Sequence, residues 1–352
     1  MSQYIIRRLL WNLLVILVIS AITFGLMHAV PGGPFDREKA LPAEIMANLN
    51  ARYNLDQPLL VQYGLYLSEV MLPRLSSATP GISLQEDSLF NIPLGKNLWL
   101  KWMNFGPSYT SRSRTVNDIF RQQLPVSFQL GIMALLVALL IGIPLGILAA
   151  LKQNTIWDYL GMSVAIFGVS VPVIVLGPIL VWIFGVSLKW LPPTGWGTKP
   201  PYVLGFLPRP PYGTFFKHAI MPAVALGLVD SAILARLTRA SLLQVVREDY
   251  IRTARAKGLP ERSIIVRHAL RNSLIPVVTI LGPMFAALIT GTFVTEMIFG
   301  IPGMGRYFVT SITNRDYPVI MGTILLYAVF LVFANLIVDI TYAFLDPRIR
   351  YT

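Results

Sequence analysis

The chain has 352 residues, of which 55% are hydrophobic, 13% are charged and none is cysteine, and its formal charge is +12. A soluble domain carries roughly a quarter charged residues. About half that share excludes a water-exposed globule and a disordered chain, and the missing cysteine excludes disulfide scaffolds, thiol chemistry and cysteine metal sites. The basic excess leaves nucleic-acid binding or membrane topology as its cause.

In chain order, Arg7 and Arg8 precede an apolar run over 9–30. This run is longer than a signal h-region and ends in Pro31-Gly32-Gly33-Pro34, a poor cleavage site, so an uncleaved first membrane helix is expected. Residues 31–123 form a long polar segment. Within it, 42–53 has helical character, 58–72 reads as a surface-packed or interfacial helix, 75–88 reads as a loop, and Trp99 and Trp102 are candidate membrane-surface anchors. Uncharged runs follow over 122–151 and 159–188, each long enough to cross a bilayer core, which takes about 20 residues. A weaker span over 218–235 contains Asp230, and further spans cover 272–295 and 317–338. Six spans result. Pro144, Pro172, Pro178, Pro276 and Pro283 lie within them, where a membrane bundle tolerates kinks that a soluble helix does not.

Six spans place both termini on one side. If that side is the cytoplasm, the inner segments 1–8, 152–158, 236–272 and 346–352 hold 14 basic and five acidic residues. The outer segments are more than twice as long and hold 15 basic and ten acidic residues. Basic density is therefore higher inside, and the positive-inside rule assigns N-in and C-in. The +12 charge becomes topology plus one basic inner loop, and nucleic acid is not needed as a partner.

That loop, 236–272, reads as two short helices around a break. Residues 241–257 form the first, Gly258 after Arg255 and Lys257 is a helix C-terminal signature, and Pro260 with Glu261 opens the next helix. Ala254, Ala256 and Gly258 are read as a small-residue docking surface.

The run from Glu248-Asp249-Tyr250-Ile251-Arg252-Thr253-Ala254-Arg255-Ala256-Lys257-Gly258-Leu259 to His268-Ala269-Leu270-Arg271-Asn272 resembles ABC-type importer permeases of the dipeptide/oligopeptide/nickel branch. So do Asn104-Phe105-Gly106-Pro107-Ser108-Tyr109, Leu124-Pro125-Val126-Ser127-Phe128-Gln129-Leu130-Gly131, Phe299-Gly300-Ile301-Pro302-Gly303-Met304-Gly305, Arg315-Asp316-Tyr317-Pro318 and Leu345-Asp346-Pro347-Arg348. The exception is 75–103, which reads as an insertion. Against the general family pattern, Arg252 and Thr253 stand where Glu and Ala are usual, a departure shared with the peptide branch.

The resemblance implies an all-α, polytopic, type I ABC importer permease fold. Its expected parts are a first helix (1–30), an extracytoplasmic segment (31–123), a five-helix core (124–345) and a cytoplasmic tail (346–352). It implies half of a peptide pore in a bacterial or archaeal cytoplasmic membrane. A second homologous permease, two ATP-binding subunits and an extracytoplasmic binding protein complete the system. Tyr250, Arg252, Thr253, Ala254, Arg255, Ala256, Lys257, Gly258 and Leu259 would then contact the ATPase. ATP and Mg would belong to the partners, since no Gly-x4-Gly-Lys-Ser/Thr loop occurs and Gly95-Lys96-Asn97 lacks its flanks. Nickel chelates or another small solute are the alternative cargo, and an ATP-independent secondary transporter is the rival class. No catalytic, cofactor or metal site is expected, the three histidines being isolated. Asp230, Glu296, Pro302 and Gly303 are candidate gate or path residues. Asp339 is expected to pair structurally, with Arg348, Arg350 or another subunit.

Overall fold

The computed structural model describes residues 2–35, 42–77, 87–95, 98–111 and 113–345, and for residues 2–5 and 343–345 the backbone alone. The expected tail, including Arg348 and Arg350, lies outside the described residues, as do Lys96 and Asn97.

The fold is mostly helical. Helix α1 (Ser2–Ala29) is apolar along its length, yet only 11% of its most apolar window is buried, as suits a helix facing lipid. It leans on α14 (Tyr317–Leu345). Arg8 and Asp339 pair at 2.7 Å near one end, and the Tyr317 hydroxyl donates to the Met27 carbonyl at 3.3 Å near the other. Arg8, at the start of the chain, is thus one partner of Asp339; the expected tail partners lie outside the described residues.

Between α1 and the core lie α2 (Ala43–Arg52) and α3 (Leu59–Met71), each preceded by a proline at its N-cap. Helix α3 packs on α1, the Tyr63 and Ser20 hydroxyls meeting at 2.7 Å. The next stretch departs from the all-helical and loop expectations. Arg74–Ser76 (β1), Phe90–Gly95 (β2) and Leu98–Trp102 (β3) form an antiparallel sheet in the order β1-β3-β2. Pro93 is tolerated because β2 is an edge strand, and the register shifts beside it. The Trp102 indole N–H donates to the Met71 carbonyl at 3.0 Å, tying the sheet to α3.

The core starts six residues before the uncharged run. Helix α4 (Val116–Leu151) opens on a capping box, with Thr115 Oγ1 accepting from the Asp118 N–H at 2.9 Å and Asp118 Oδ2 accepting from the Thr115 N–H at 3.2 Å. Helices α5 (Ile156–Ser170) and α6 (Val173–Leu180), the latter running into a π turn, meet at 101° around Val171-Pro172. The third uncharged run is therefore two pieces rather than one straight span. Helix α7 (Tyr212–Val245) is continuous and extends well past Ala235. Short helices α8 (Asp249–Ala256), α9 (Glu261–Ser263) and α10 (Leu270–Ser273) follow, then α11 (Ile275–Ile289), bent 48° from the preceding segment. Helices α12 (Phe293–Ile298) and α13 (Gly305–Thr313) precede α14. Among the described residues four helices are long and apolar enough to cross a membrane, or up to six if each bent pair is one span.

Helices α4 and α7 form the closest pair. A Cβ on Gly142, Gly146 or Gly227 would lie 2.5–2.6 Å from a carbonyl oxygen of the other helix. Small residues let these backbones touch, which substitutes for the hydrophobic drive that lipid removes. Helix α4 starts beside Asp87, next to the sheet, and ends against α8, so the sheet side and the α8 side are opposite ends of the core.

Candidate functional site

On the α8 side, the expected helix over 241–257 is divided. Residues 241–245 complete α7, the chain turns at Val246-Arg247-Glu248, and α8 begins at Asp249. Ile251 is fully buried and Ala254 nearly so, packing with Ala150, Leu242, Ile264 and Ala269. Burying an Ile side chain contributes about 1.5–3 kcal/mol. Tyr250, Arg252, Thr253, Arg255, Ala256, Lys257 and Leu259 face outward. This corrects the small-residue surface: Ala254 anchors the helix inward, so Ala256 and Gly258 alone remain exposed.

The end of α8 is built as its sequence suggests. Gly258 has φ +73°, its N–H donates to the Arg255 carbonyl at 2.9 Å, and the Leu259 N–H reaches the Ala254 carbonyl at 3.4 Å. These are the two bonds of a Schellman motif. Across the turn Arg255 forks onto Glu261 at 2.8 and 3.3 Å, and Asn272 Nδ2 donates to the Tyr250 hydroxyl at 2.8 Å. The short helix is thus fixed to α7 by packing and to the following segment by polar contacts.

One supporting pair was not singled out by sequence. Asp158, in the first turn of α5, is buried and accepts from Arg239 Nε and Nη2 of α7, both at 2.7 Å. Asp158 also accepts from the Asn154 N–H at 3.0 Å. A bidentate, well-bonded pair of this kind holds two helix ends in one relative orientation. The sequence places both charges in inner segments, at 152–158 and 236–272, but carries no sign of their pairing.

On the sheet side, Glu296 lies not in an exposed, irregular connection but in α12, at 2% exposure. Its Oε1 accepts from Ser127 Oγ of α4 at 2.7 Å and its Oε2 from the Gly305 N–H at 2.8 Å, while Ser127 Oγ accepts from the Met304 N–H at 2.7 Å. Burial pushes the Glu296 carboxyl above its usual range, and the bonds from Ser127 and from the backbone at Gly305, Thr292 and Arg306 oppose that rise. Gly303 packs on the same carboxylate: a Cβ there would sit 2.3 Å from Oε1 and 2.6 Å from Ser127 Oγ. Pro302 lines a neighbouring open cavity of about 680 Å3, with Gly300 and the 195–200 and 209–211 stretches. That second loop is tied to α4 by Gln129, which accepts from the Trp196 indole at 2.9 Å and donates to the Phe206 carbonyl at 2.8 Å.

Glu296, Gly303 and Pro302 therefore belong to one neighbourhood, and Asp230 does not. His218 of α7 lies against Gly197 on the sheet side. Asp230 is twelve residues further along the same helix, about 18 Å deeper. Ser127 was missed as a site residue although it stands in the Leu124–Gly131 motif.

Two other sequence motifs converge on the sheet side. Asp316 is buried and accepts from the Ser108 hydroxyl and from the backbone N–H groups of Tyr109 and Thr110, at 3.0 and 3.2 Å for the latter two. The Asn104–Tyr109 and Arg315–Pro318 segments thus close one joint from positions some 200 residues apart.

Residues 142–351 match the family described as binding-protein-dependent transport system inner membrane component, and residues 1–83 match the N-terminal family of the same system. The dipeptide transport system permease protein DppB of Bacillus subtilis is 41% identical over 350 residues, covering 99% of this chain and 98% of that one. The oligopeptide transport system permease protein OppB of Salmonella typhimurium is 40% identical over 351 residues, covering all of both. The inward-facing MetNI methionine ABC transporter aligns at 16% identity and TM-score 0.47, over 64% of this chain and 94% of that one.

Proposed function

Since the chain belongs to the binding-protein-dependent transport system inner membrane component family and is a multi-pass permease subunit of an ABC importer, we propose that it carries peptides, oligopeptides or dipeptides, through a pore it shares with a second, homologous permease. The full-length identity to permeases of both peptide classes supports this cargo. ATP hydrolysis belongs to two separate ATP-binding subunits, which hold ATP and Mg; this chain has no phosphate-binding loop of its own. A binding protein delivers substrate on the sheet side. The α8 side faces the cytoplasm, N-in and C-in, a reading supported by the basic density of the 236–272 segment.

In this reading the exposed residues Tyr250, Arg252, Thr253, Arg255, Ala256, Lys257, Gly258 and Leu259 meet the ATPase, and Ala254 acts from behind as an anchor. The observation that carries it is the fixation of α8. A short helix locked by Ile251, by the turn at Gly258 and by the Arg255–Glu261 pair moves as a rigid body with α7. When the ATPases close on ATP, that motion passes through α7 and the Asp158–Arg239 pair into the core. The Glu296 tie and the 302–303 turn then form a movable element at the far end, and Asp230 lines the path between.

The test is uptake by proteoliposomes containing the chain with its copurified partner subunits. Labelled peptide should accumulate only with ATP inside and binding protein outside. Uptake by the chain alone, driven by an ion gradient, would refute the class, and competition by nickel chelates but not by peptides would refute the cargo.

A further inference from the structure

Apart from the α4–α7 core, a cavity of about 360 Å3 lies on the sheet side, between the ends of α1 and α14, helix α3 and the 104–109 loop. Two polar groups lining it have no hydrogen-bond partner although their atoms are buried: His28 Nε2 and the Tyr66 hydroxyl. The His28 tautomer follows from its other nitrogen. Nδ1 lies 2.8 Å from the Phe24 carbonyl, which can only accept, so Nδ1 carries a hydrogen, which leaves Nε2 as the acceptor of the Nδ1–H tautomer. Glu69 adds a carboxylate to the lining, and its ion-pair contact with Arg74 is long at 3.6 Å. Burial raises the Glu69 pKa, with Arg74 opposing. The rings of Tyr53, Tyr109 and Tyr317 complete the wall.

Three acceptors among aromatic faces describe the needs of a donor-only cation. A primary ammonium has three N–H groups and no acceptor, and it is attracted to ring faces. Arg52, over the Tyr53 ring at 5.9 Å, also lines the cavity and supplies a guanidinium that can pair with an anion. Helix α1, which supplies Phe24, Met27 and His28 to this wall, is apolar and little buried, and on its opposite face Ile22 and Leu26 are more than half exposed. We propose that this cavity binds an organic ammonium, supplied by the ethanolamine headgroup of a membrane phospholipid whose phosphate meets Arg52 and whose acyl chains lie along α1.

The test uses the full chain with its copurifying subunits in nanodiscs, read by native mass spectrometry. Phosphatidylethanolamine should be retained over phosphatidylglycerol of the same acyl chains, and E69Q and Y66F should each cut that preference, by roughly tenfold for a hydrogen bond to a charged group. Free ethanolamine is the second probe. Displacement of bound lipid by it supports the shared ammonium site. Binding of free ethanolamine with no preference between the lipids overturns the lipid source. Equal retention of both lipids together with no ethanolamine binding overturns the site itself and leaves water as the occupant. Y66F preserves shape, and its thermal unfolding checks that any loss is not misfolding. The assay is blind to membrane sidedness, so its outcome is independent of the N-in assignment.

Discussion

The tie at Glu296 can be weakened without changing its shape. In Glu296→Gln the amide oxygen must keep the Gly305 N–H, because an amide nitrogen there would oppose a second donor. The NH2 group then faces Ser127 Oγ, which already accepts from the Met304 N–H and has a lone pair to spare. What is lost is the acceptor for the Ser127 O–H, in a position with no exposed surface. Stranding a buried donor costs about 1–3 kcal/mol. At about 2 kcal/mol the local opening equilibrium rises roughly 30-fold. Hydrogen exchange of the 293–313 stretch, read by mass spectrometry on the chain in nanodiscs, should show Met304 and Gly305 losing protection by that factor. Helices α4 and α7 should keep theirs. Ser127→Ala should do at least as much, since it also removes the acceptor of the Met304 N–H, and the double variant should fall well short of the sum because both changes act on one network. Gly303→Ala, which would drive a methyl group into the carboxylate, should expose the same stretch. Unchanged protection in both E296Q and S127A, or strict additivity, would show that packing rather than this carboxylate holds the turn.

At Gly258 the φ of +73° and the open space around it separate backbone from packing. A bulky substitution should strain α8's end by about 1–2 kcal/mol, leave membrane insertion intact, and uncouple ATP hydrolysis from uptake; normal uptake with normal ATPase binding would sink the docking assignment. Asp158→Asn leaves Arg239 facing a neutral partner and should lower the thermal midpoint, the loss being about 3 kcal/mol, with unchanged melting as the contrary result. The chain has no cysteine, so single cysteines at Gln57 and Arg262, both exposed, should label from opposite membrane faces. Same-side labelling would refute N-in, C-in.

What could be read in advance follows the physics of each signal. Uncharged length is a strong signal in a bilayer, so the apolar helices were legible from runs alone. The Gly258 turn was legible because one glycine after two cations has few other uses. The 101° break at Val171-Pro172 was not, since a proline within an apolar run marks a permitted kink and carries no angle. The sheet was missed for a different reason. Its strands alternate weakly, Pro93 argues against a strand, and the pairing of Arg74 with Lys101 spans a stretch with no local period. Buried polar ties were the least legible. Ser127, Asp158 and Asp316 look ordinary in sequence, and their partners lie 81 to 208 residues away.

Those ties also explain how one chain can be both rigid and movable. At the α8 side, the helix ends are locked by a forked ion pair and by apolar packing, neither of which offers an intermediate geometry. At the sheet side, the turn from Ile301 to Gly305 rests on Glu296 and Ser127 through a few hydrogen bonds to backbone, around a glycine that leaves no room for error. Packed contacts transmit displacement, whereas a small set of directional bonds breaks and re-forms within a few kcal/mol. A motion imposed on α8 should therefore travel through α7 undiminished and be absorbed where the bonds are fewest. That places the compliant element at the Glu296 turn, and exchange should rise there before anywhere else in the core when α8 is pulled by a partner.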